Sequence, residues 1–408
     1  MGMKSNNYKN TELGKIPDDW EIKEFQDVMT GFFSGATPYR GRPDYYKGEI
    51  KWITSGELNY NIITDTNEKI NEEAVRNTNL KILPVGTFLF AITGLEAEGT
   101  RGSCAFTGVE ATTNQSCMAL FPKEALDNNY LYHFYVWQGK KLAIKYCQGT
   151  KQQSYTAKIA RTLPIIIPPT KSEQTAIATA LSDADALIEN LEKLIVKKRS
   201  IKKGKMQELL TPKNEWVLQT LGCCFQLSSG KSKSKYIEEG GQFIVMDMGS
   251  VSSDGQLIKT KRTNFGIDFL DYGDLVMPKD DIGGGKIIGK VGFIDSKGKY
   301  VLGDHVYKLK AIHSGIDTLF LYYLINSHVV NKALKQKVTG SAQLGLSKKS
   351  VEEQEVELPP SKALQSKIAE LLYDVDAEIL HLEHKVSKLK LIKQGMMQAL
   401  LTGKIRLI

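Results

Sequence analysis

The sequence predicts an α+β protein in which two globular domains are joined by two long helices that form an antiparallel coiled coil, with a pseudo-two-fold internal repeat. Three observations predict this fold. A helical segment occurs twice, its apolar residues have coiled-coil spacing, and short β-type runs with glycine-rich turns precede each copy. The predicted order is a first domain at 1–169, a helix at 170–212, a second domain at 213–358 and a helix at 359–408.

The internal repeat is the strongest signal. Pro168 and Pro169 open one copy, and Pro359 and Pro360 open the other copy 191 residues later. From Pro168 to Thr211 the two copies align without a gap, and 22 of 44 positions are identical. Chance does not produce such agreement in segments of ordinary composition, so the chain is built from two copies of one plan.

Both copies carry the start and stop signals of a long helix. Thr170 and Ser361 are suitable N-caps, and Glu173 completes a capping box with Thr170. Pro212 ends the first helix and Gly403 ends the second. Each helix is therefore expected to be about 60 Å long, at about 1.5 Å per residue.

The apolar residues of both helices alternate at spacings of four and three, which is typical of a coiled-coil seam. The predicted seam consists of Ile177, Leu181, Ala184, Ile188, Leu191 and Ile195 in the first helix, and Ile368, Leu372, Val375, Ile379, Leu382, Val386 and Leu389 in the second. A domain the size of 213–358 is only about 35–40 Å across. Because a parallel pair would force it to bridge about 60 Å, we predict an antiparallel pair with one domain at each end; two separate amphipathic helices are the alternative.

The two domains are related but have diverged. Each begins near a tryptophan, Trp20 or Trp216, and continues into a Ser-Gly turn at 34–35 or 229–230. Predicted strands are KWIT, TFLFAIT and CMALF in the first domain, and QFIVMDM, DLVMP and HVYKL in the second. One helical stretch precedes each repeat, at 128–147 and 317–338.

At this point the chain resembles the specificity subunits of Type I restriction-modification systems. The resemblance rests on the helix starts IIIPPTKSEQTAIATAL and VELPPSKALQSKIAELL, and on GFFSGATP, WITSGEL and LPVGTFLFAITG in the first domain. The second domain departs from it, with SSGKSKSKY and MDMGSV at the corresponding places. The resemblance implies two target-recognition domains that read a bipartite site in double-stranded DNA. It also implies two modification (methyltransferase) subunits, with translocating restriction subunits in the full complex, and helices that set the spacing and dock the modification subunits.

Polar and basic side chains in the glycine-rich turns are the candidates for DNA contact, because Arg, Gln and Asn can hydrogen-bond base edges whereas Lys more often meets phosphate. In the first domain they are Thr37, Tyr39, Arg40, Arg42, Thr93, Arg101, Lys151, Gln152 and Gln153. In the second they are Lys231, Lys233, Lys235, Lys279, Lys286, Lys290 and Gln343. A basic helix face could follow the spacer DNA, meet a partner or simply be solvated: Lys193, Lys197, Lys198, Arg199, Lys202, Lys203 and Lys205.

Catalytic motifs are incomplete. The segment IIIPPT lacks both the polar residue and the aromatic residue of a methyltransferase grip, and Val291 replaces the Ser or Thr that would hold Mg²⁺ after GGKIIGK. Asp44, Glu49 and Lys51 loosely match a nuclease motif, but Asp44 and Glu49 are closer together in the sequence than the carboxylates of such sites usually are. The histidines form no ligand pair at metal spacing. We therefore predict a non-catalytic chain without a metal, with S-adenosylmethionine, ATP and Mg²⁺ only on partner subunits.

Composition agrees with a DNA-binding protein but does not require one. The formal net charge of +8 permits a polyanionic partner. No apolar run approaches the length of a membrane span, and the five cysteines show no metal or disulfide pattern, so a cytoplasmic location is expected. Two other function classes remain open: a coiled-coil scaffold whose end domains bind proteins, and a self-contained DNA-modifying enzyme.

Overall fold

The computed structural model describes residues 7–151, 153–340 and 344–407, and the chain divides into two compact units. The first unit contains the residues up to Leu191 and those from Lys385 onward, and the second unit contains Glu192–His384. This division cuts across the linear order expected from the sequence, in which each long helix is a segment separate from the domains. Each unit contains one globular domain and a part of both long helices, because helix residues complete the domain cores.

The first domain contains twelve strands and four short helices among its described residues. The strands are β1 (Tyr8–Thr11), β2 (Gly14–Pro17), β3 (Glu21–Glu24), β4 (Met29–Ser34), β5 (Ile50–Ile53), β6 (Asn61–Ile63), β7 (Lys69–Ile70), β8 (Phe88–Ala91), β9 (Cys104–Thr107), β10 (Ala111–Thr113), β11 (Cys117–Pro122) and β12 (Pro164–Ile167). The helices are α1 (Phe25–Val28), α2 (Glu72–Asn77), α3 (Asn128–Tyr146) and α4 (Ala157–Arg161). The first long helix, α5 (Lys171–Leu209), follows.

The second domain contains eleven strands and four short helices among its described residues. The strands are β13 (Val217–Thr220), β14 (Phe225–Ser229), β15 (Phe243–Met246), β16 (Arg262–Thr263), β17 (Leu275–Pro278), β18 (Asp280–Asp281), β19 (Gly292–Phe293), β20 (Tyr300–Leu302), β21 (Val306–Ala311), β22 (Leu344–Gly345) and β23 (Glu355–Leu358). The helices are α6 (Leu221–Cys224), α7 (Thr318–Asn326), α8 (His328–Gln336) and α9 (Lys348–Glu352). The second long helix is α10 (Lys362–Leu400).

The two domains share most of one sheet topology, although among the described residues β6 of the first domain has no counterpart in the second. In the first domain the larger sheet has the order β4-β11-β8-β9-β6, and a smaller sheet has the order β10-β5-β7 with β10 parallel to β5. In the second domain the corresponding orders are β14-β21-β17-β19 and β16-β15-β20, again with one parallel pair, β15 and β20. A two-stranded pair closes each domain, β3 with β12 and β13 with β23. The α+β class and the internal repeat predicted from the sequence are confirmed.

Eleven of the thirteen predicted seam residues are buried, and Ala184 and Leu389 are half-buried. Ile177, Leu181 and Leu372 have no exposed surface, and Ile188, Leu191, Ile195, Ile368, Val375, Ile379, Leu382 and Val386 are at most 9% exposed. In the larger domain cores, apolar residues of the long helices pack among the buried residues of the sheets and short helices. Burial of these side chains therefore stabilises each domain as well as the helix pair.

Ion pairs show that the helix segments run antiparallel in the second unit, and a pair in the first unit repeats one of these contacts. In the first unit Asp185 of α5 pairs with Lys393 of α10. In the second unit Lys202 pairs with Asp376 at 2.6 Å and Lys198 pairs with Glu378 at 2.7 Å, so that residue numbers rise along one helix as they fall along the other. Asp376 lies 191 residues after Asp185, and Lys393 lies 191 residues after Lys202. The Asp185–Lys393 pair and the Lys202–Asp376 pair are therefore two copies of one interaction.

Two helix predictions need correction. The Thr170 hydroxyl accepts a hydrogen bond from the Glu173 amide at 3.2 Å, but the buried Glu173 carboxylate binds the Arg406 guanidinium, with Nη2 at 2.7 Å, instead of closing a capping box. A charge-assisted bidentate pair is stronger than a bond to a backbone amide. The helical stretch before the second repeat is broken at Ser327, whose hydroxyl caps α8 through the Val330 amide.

None of the helices in the described residues has the length and apolar character required to cross a bilayer.

Candidate nucleic-acid interface

A glycine in each predicted Ser-Gly turn lets two strands approach closely. A Cβ atom at Gly35 would lie 1.7 Å from the Thr113 carbonyl oxygen, and one at Gly230 would lie 2.2 Å from the Leu302 carbonyl oxygen. Only glycine fits at such distances. Both domains therefore place the turn after the first strand of the larger sheet against the end of the parallel strand pair.

In the first domain this contact gathers several polar segments, 35–42, 54–57, 92–95, 114–116 and 153–154, which we call the first rim. The turn 114–116 is at its centre. The Asn114 amide donates to the Ile53 carbonyl at 2.9 Å, and the Ile92 amide donates to the Ser116 carbonyl at 2.9 Å.

The second domain repeats the arrangement with segments 230–235, 247–250, 279–281, 303–305 and 344–345, which we call the second rim. Its central turn is 303–305. The Gly303 amide donates to the Met246 carbonyl at 2.7 Å, and the Lys279 amide donates to the His305 carbonyl at 3.1 Å. The same backbone scaffold thus presents different side chains in the two domains.

Two arginines that the sequence nominated for base contact are held by carboxylates. The Arg40 guanidinium makes a bidentate pair with Glu68 at 2.5 and 2.9 Å and lies 4.3 Å from the centre of the Tyr46 ring. Arg42 pairs with Asp44 at 2.6 Å. Hydrogen bonds from these guanidiniums lower the pKa of both Glu68 and Asp44. Each arginine would have to give up its carboxylate before it could grip a guanine.

The other candidates of the first domain differ in how available they are. Tyr39 is 73% exposed and Lys151 is exposed, whereas the half-buried Thr37 donates to the Gln115 amide oxygen at 2.6 Å. Arg101 donates to the Leu95 and Glu96 carbonyls at 2.7 and 3.0 Å, which makes it a support for the loop.

Two further candidates, Thr93 and Gln153, are half-buried in segments joined by the bridge between Thr93 and Ser154, and Gln152 lies outside the described residues. Gln115 and Asn114 were missed from the sequence; their signal is the polar run directly after a buried strand.

One lysine of the second domain was wrongly expected to meet phosphate, and another is only partly accessible. Lys233 is 1% exposed, and its ammonium donates to the Leu302 carbonyl at 2.6 Å and to Asp268 at 3.0 Å. Lys290 donates to the Asn326 carbonyl at 3.1 Å, and burial lowers its pKa. The Lys233 ammonium is enclosed by protein acceptors and cannot also reach a phosphate, whereas the half-buried Lys290 keeps part of its surface exposed.

The remaining lysines of the second domain are accessible. Lys231, Lys235 and Lys286 are exposed, and Lys279 is half-buried with its ammonium 5.7 Å from the centre of the Tyr307 ring. Gln343 lies outside the described residues. On the basic face of α5, Lys198, Arg199 and Lys202 pair with acidic residues of α10, so those three cations help to join the helices.

The second rim also contains an acidic cluster that sequence reasoning missed. Ligand atoms of Asp247, Asp304 and His305 lie within 4.8 Å of one another, which is the spacing that a metal ion would need. His305 Nδ1 is 2.9 Å from Asp280, and Lys261 lies 3.7 Å from Asp247. The sequence pattern does not reveal this set, because the fold brings Asp247 to Asp304 and His305 from a distant position in the chain.

Comparisons with known proteins agree on one family. The model of the Type I restriction modification DNA specificity domain matches twice, at residues 17–197 and 213–391. The Type I restriction enzyme MjaIX specificity subunit of Methanocaldococcus jannaschii is 34% identical over 191 residues, which cover 46% of this chain and 42% of that protein. The putative MjaX specificity subunit of the same organism is 25% identical over 99% of this chain and 97% of its own length.

A solved structure shares the fold over the whole described chain. The crystal structure of the S subunit of the Type I restriction-modification system from M. genitalium superposes with a TM-score of 0.65 at 17% identity, covering 98% of both chains.

Proposed function

Because the chain belongs to the Type I restriction-modification DNA specificity family, we propose that it reads a bipartite site in double-stranded DNA, with one half-site at each rim. It is a specificity subunit with two target-recognition domains. The observation that carries the proposal is the pairing of one backbone scaffold with two different sets of rim side chains. A repeated scaffold supplies two similar readers, and unlike side chains give them unlike targets.

The chemistry of the rims suits base edges in the major groove. The first rim offers the amide of Gln115 beside the Thr37 hydroxyl, and an amide side chain can pair with adenine N6 and N7. The second rim offers Asp280, Asp304 and His305 beside exposed lysines. Carboxylates can accept from the amino group of cytosine, and the exposed Lys231 and Lys235 are proposed to contact phosphates.

The same proposal covers the partners. The chain docks two modification subunits and, in the full complex, restriction subunits, in the cytoplasm. It does no chemistry itself, since S-adenosylmethionine, ATP and Mg²⁺ belong to those partners. Methyl transfer by the purified chain without partners would overturn this part of the proposal.

Binding measurements separate a DNA reader from a protein-binding scaffold. Fluorescence anisotropy of the purified chain with labelled duplexes should show affinity that falls as salt rises, because lysine–phosphate contacts release counterions. The variant Lys235→Gln should lower the slope of log affinity against log salt by about one, and Lys123→Gln, whose ammonium donates to the Asp27 carbonyl, is the control. Absence of salt-dependent binding would favour the scaffold.

The helices are proposed to act as a ruler. Inserting one matched heptad in each helix lengthens both by about 10 Å, which corresponds to about three base pairs. Methylation mapping in a host that carries the variant and its partner subunits should then reveal a gap between half-sites that is wider by that amount. An unchanged gap would contradict the ruler.

A further inference from the structure

A cavity of about 670 Å³ lies in the first unit and belongs to no part of the first rim. Its walls come from the hairpin of β1 and β2, from α3 and from the C-terminal end of α10. The volume falls within the range of about 300–1,000 Å³ found for small-molecule sites.

One buried polar side chain in the wall lacks a partner. Gln138 lines the cavity and is only 3% exposed, yet its amide makes no hydrogen bond to any residue that the structure describes. A primary amide offers two donors and an acceptor. Because the Gln138 amide atoms are not fully enclosed, they face the open space of the cavity, where the hydrogen-bonding groups of a ligand can reach them.

The wall is also positively charged. It carries Lys15, Lys141 and Lys404, none of which has an ion-pair partner within 7–151, 153–340 or 344–407, and its described lining contains no carboxylate. The nearby acid Glu12 is occupied, because its carboxylate pairs with Lys145 at 2.9 Å. Three ammonium groups around one concave surface favour an anion.

Aromatic rings accompany the ammonium groups. Lys15 lies 5.5 Å from the centre of the Tyr8 ring, and Lys141 lies 5.5 Å from the centre of the Trp137 ring. Both rings line the cavity. Aromatic faces stack on planar groups, and neighbouring ammonium groups bind phosphate oxygens.

From this combination we infer that the cavity binds a mononucleotide-like ligand, a phosphorylated compound with a planar heterocyclic ring. The phosphate contacts Lys15, Lys141 and Lys404, the ring stacks against Trp137 or Tyr8, and the Gln138 amide pairs with the ring edge. This site is independent of the proposed reading of DNA, because it shares no residue with either rim.

Gly395 allows the cavity to be filled without disturbing the fold. It lines the cavity within α10, and a Cβ atom there would meet nothing within 4 Å. Leucine is also a better helix former than glycine. The variant Gly395→Leu should therefore keep the melting temperature at or above that of the unaltered chain while it occupies the space of the ligand.

Isothermal titration calorimetry of the 408-residue chain with AMP, adenosine and inorganic phosphate tests the inference. AMP should bind at least about tenfold more tightly than either fragment, since only AMP engages rings and ammonium groups together. Lys141→Gln should weaken AMP binding at least about tenfold, and Gly395→Leu should do the same. The control Lys140→Gln removes a neighbouring lysine that pairs with Glu98 at 2.9 Å and does not line the cavity, and it should change AMP binding less than about twofold.

Three results would overturn the inference: no saturable binding of AMP, equal affinity for AMP and phosphate, or equal losses in Lys141→Gln and Lys140→Gln. A melting temperature measured for each variant separates loss of binding from loss of folding. A separate titration with duplex DNA tests DNA binding by the rims, and its result does not depend on whether the cavity binds AMP.

Discussion

The fragment 1–211 should form a two-fold homodimer that rebuilds the first unit twice. In the intact chain, three side chains near the end of α10 complete the core of the first domain and are at most 8% exposed: Met397, Leu400 and Leu401. The first long helix carries identical residues 191 positions earlier: Met206, Leu209 and Leu210. A second copy of the fragment can therefore supply what truncation removes.

The polar contacts of the helix pair are partly preserved. Asp185 pairs with Lys393 in the first unit, and Asp376 pairs with Lys202 in the second. Since both pairs are related by the 191-residue repeat, Asp185 of one fragment would meet Lys202 of the other. A closed two-fold dimer satisfies every such pair, so no filament is expected.

One contact is lost, and it limits the strength of the dimer. Glu173 has no exposed surface and pairs with Arg406, but the residue 191 positions before Arg406 is Glu215, which lies outside the fragment. Breaking a buried ion pair by removing one partner costs about 3–5 kcal/mol. The two-fold that pairs Asp185 with Lys202 sets the basic stretch after Lys197 beside acidic residues of the other copy, so salt should weaken these pairs by screening. Because Glu173 loses its partner and Ala184 fills less space than Val375, the homodimer should be weaker than the native pairing.

These magnitudes can be compared. Exposing the three apolar side chains forfeits about 5–9 kcal/mol, at about 1.5–3 kcal/mol each, which approaches the stability of a whole domain. The fragment is therefore expected to fold only as it dimerises. Replacing Glu173 by Leu, the residue found at position 364 of the second copy, should tighten the dimer at least about a hundredfold, because it removes an unpaired buried charge at two sites.

Sedimentation equilibrium of 1–211 and of its Glu173→Leu and Glu110→Leu variants measures the effect. Glu110 is exposed, so the same substitution there should leave dimerisation unchanged. The DNA target of the dimer should be palindromic, consisting of the first half-site and its inverted copy. Only monomer at tens of micromolar, for both the fragment and Glu173→Leu, would refute this reasoning.

Three further predictions concern single side chains. Lys233→Met should lower the free energy of unfolding of the second unit by about 2–3 kcal/mol, which is less than the loss of a fully buried ion pair would cost, because Asp268 is 34% exposed. The same variant should leave the salt dependence of DNA binding unchanged. A weaker salt dependence with an unchanged melting temperature would contradict the structural role of Lys233. Leu382 is 9% exposed, so Leu382→Ala should lower the free energy of unfolding in urea by about 2–4 kcal/mol and should weaken binding of the split DNA site more than binding of one half-site. Leu380 is 52% exposed, so the control Leu380→Ala should cost under about 1 kcal/mol. Equal effects of the two variants would exclude a packed seam. Burial lowers the pKa of His133 to about 4, below its ordinary value near 6.5, so stability present above pH 6.5 should fall by up to about 3 kcal/mol as the pH drops to 4; an unchanged acid dependence in His133→Asn would contradict this.

The long helices were predictable because their signal is local and repeated. Spacings of four and three recur along each copy, and a proline or a glycine marks where each helix stops. The structure gives 171–209 and 362–400, inside the predicted ranges. The break at Ser327 was not predicted because a serine within an apolar stretch can either continue a helix or cap the next one, and the local pattern does not decide between them.

The roles of individual charges could not be predicted because their partners are distant in sequence. Lys233 and Lys235 are two residues apart in one polar run, yet the first is enclosed by Asp268 and a strand carbonyl while the second is exposed. Arg40 and Glu68 are 28 residues apart in the sequence, and the pairing of β5 with β7 helps to bring their segments together. Composition shows that a turn is basic, but which cations remain available for phosphate depends on the tertiary contacts.

The spacing between matching residues of the two domains shows where the repeat is constrained. Trp20 and Trp216 are 196 residues apart, Ile53 and Met246 are 193 apart, and strands β8 and β17 start 187 apart, before the spacing returns to 191 at Ser154 and Gly345. A β-bulge in β4, where it pairs with β11, adds one residue to the first domain and accounts for the first one-residue decrease in this spacing. Strands must keep register to fill a core, whereas the segments between them can change length at little cost. The two copies no longer align without gaps in these segments, because both the length and the side chains change there. The long helices still align without gaps, because any insertion would shift the seam.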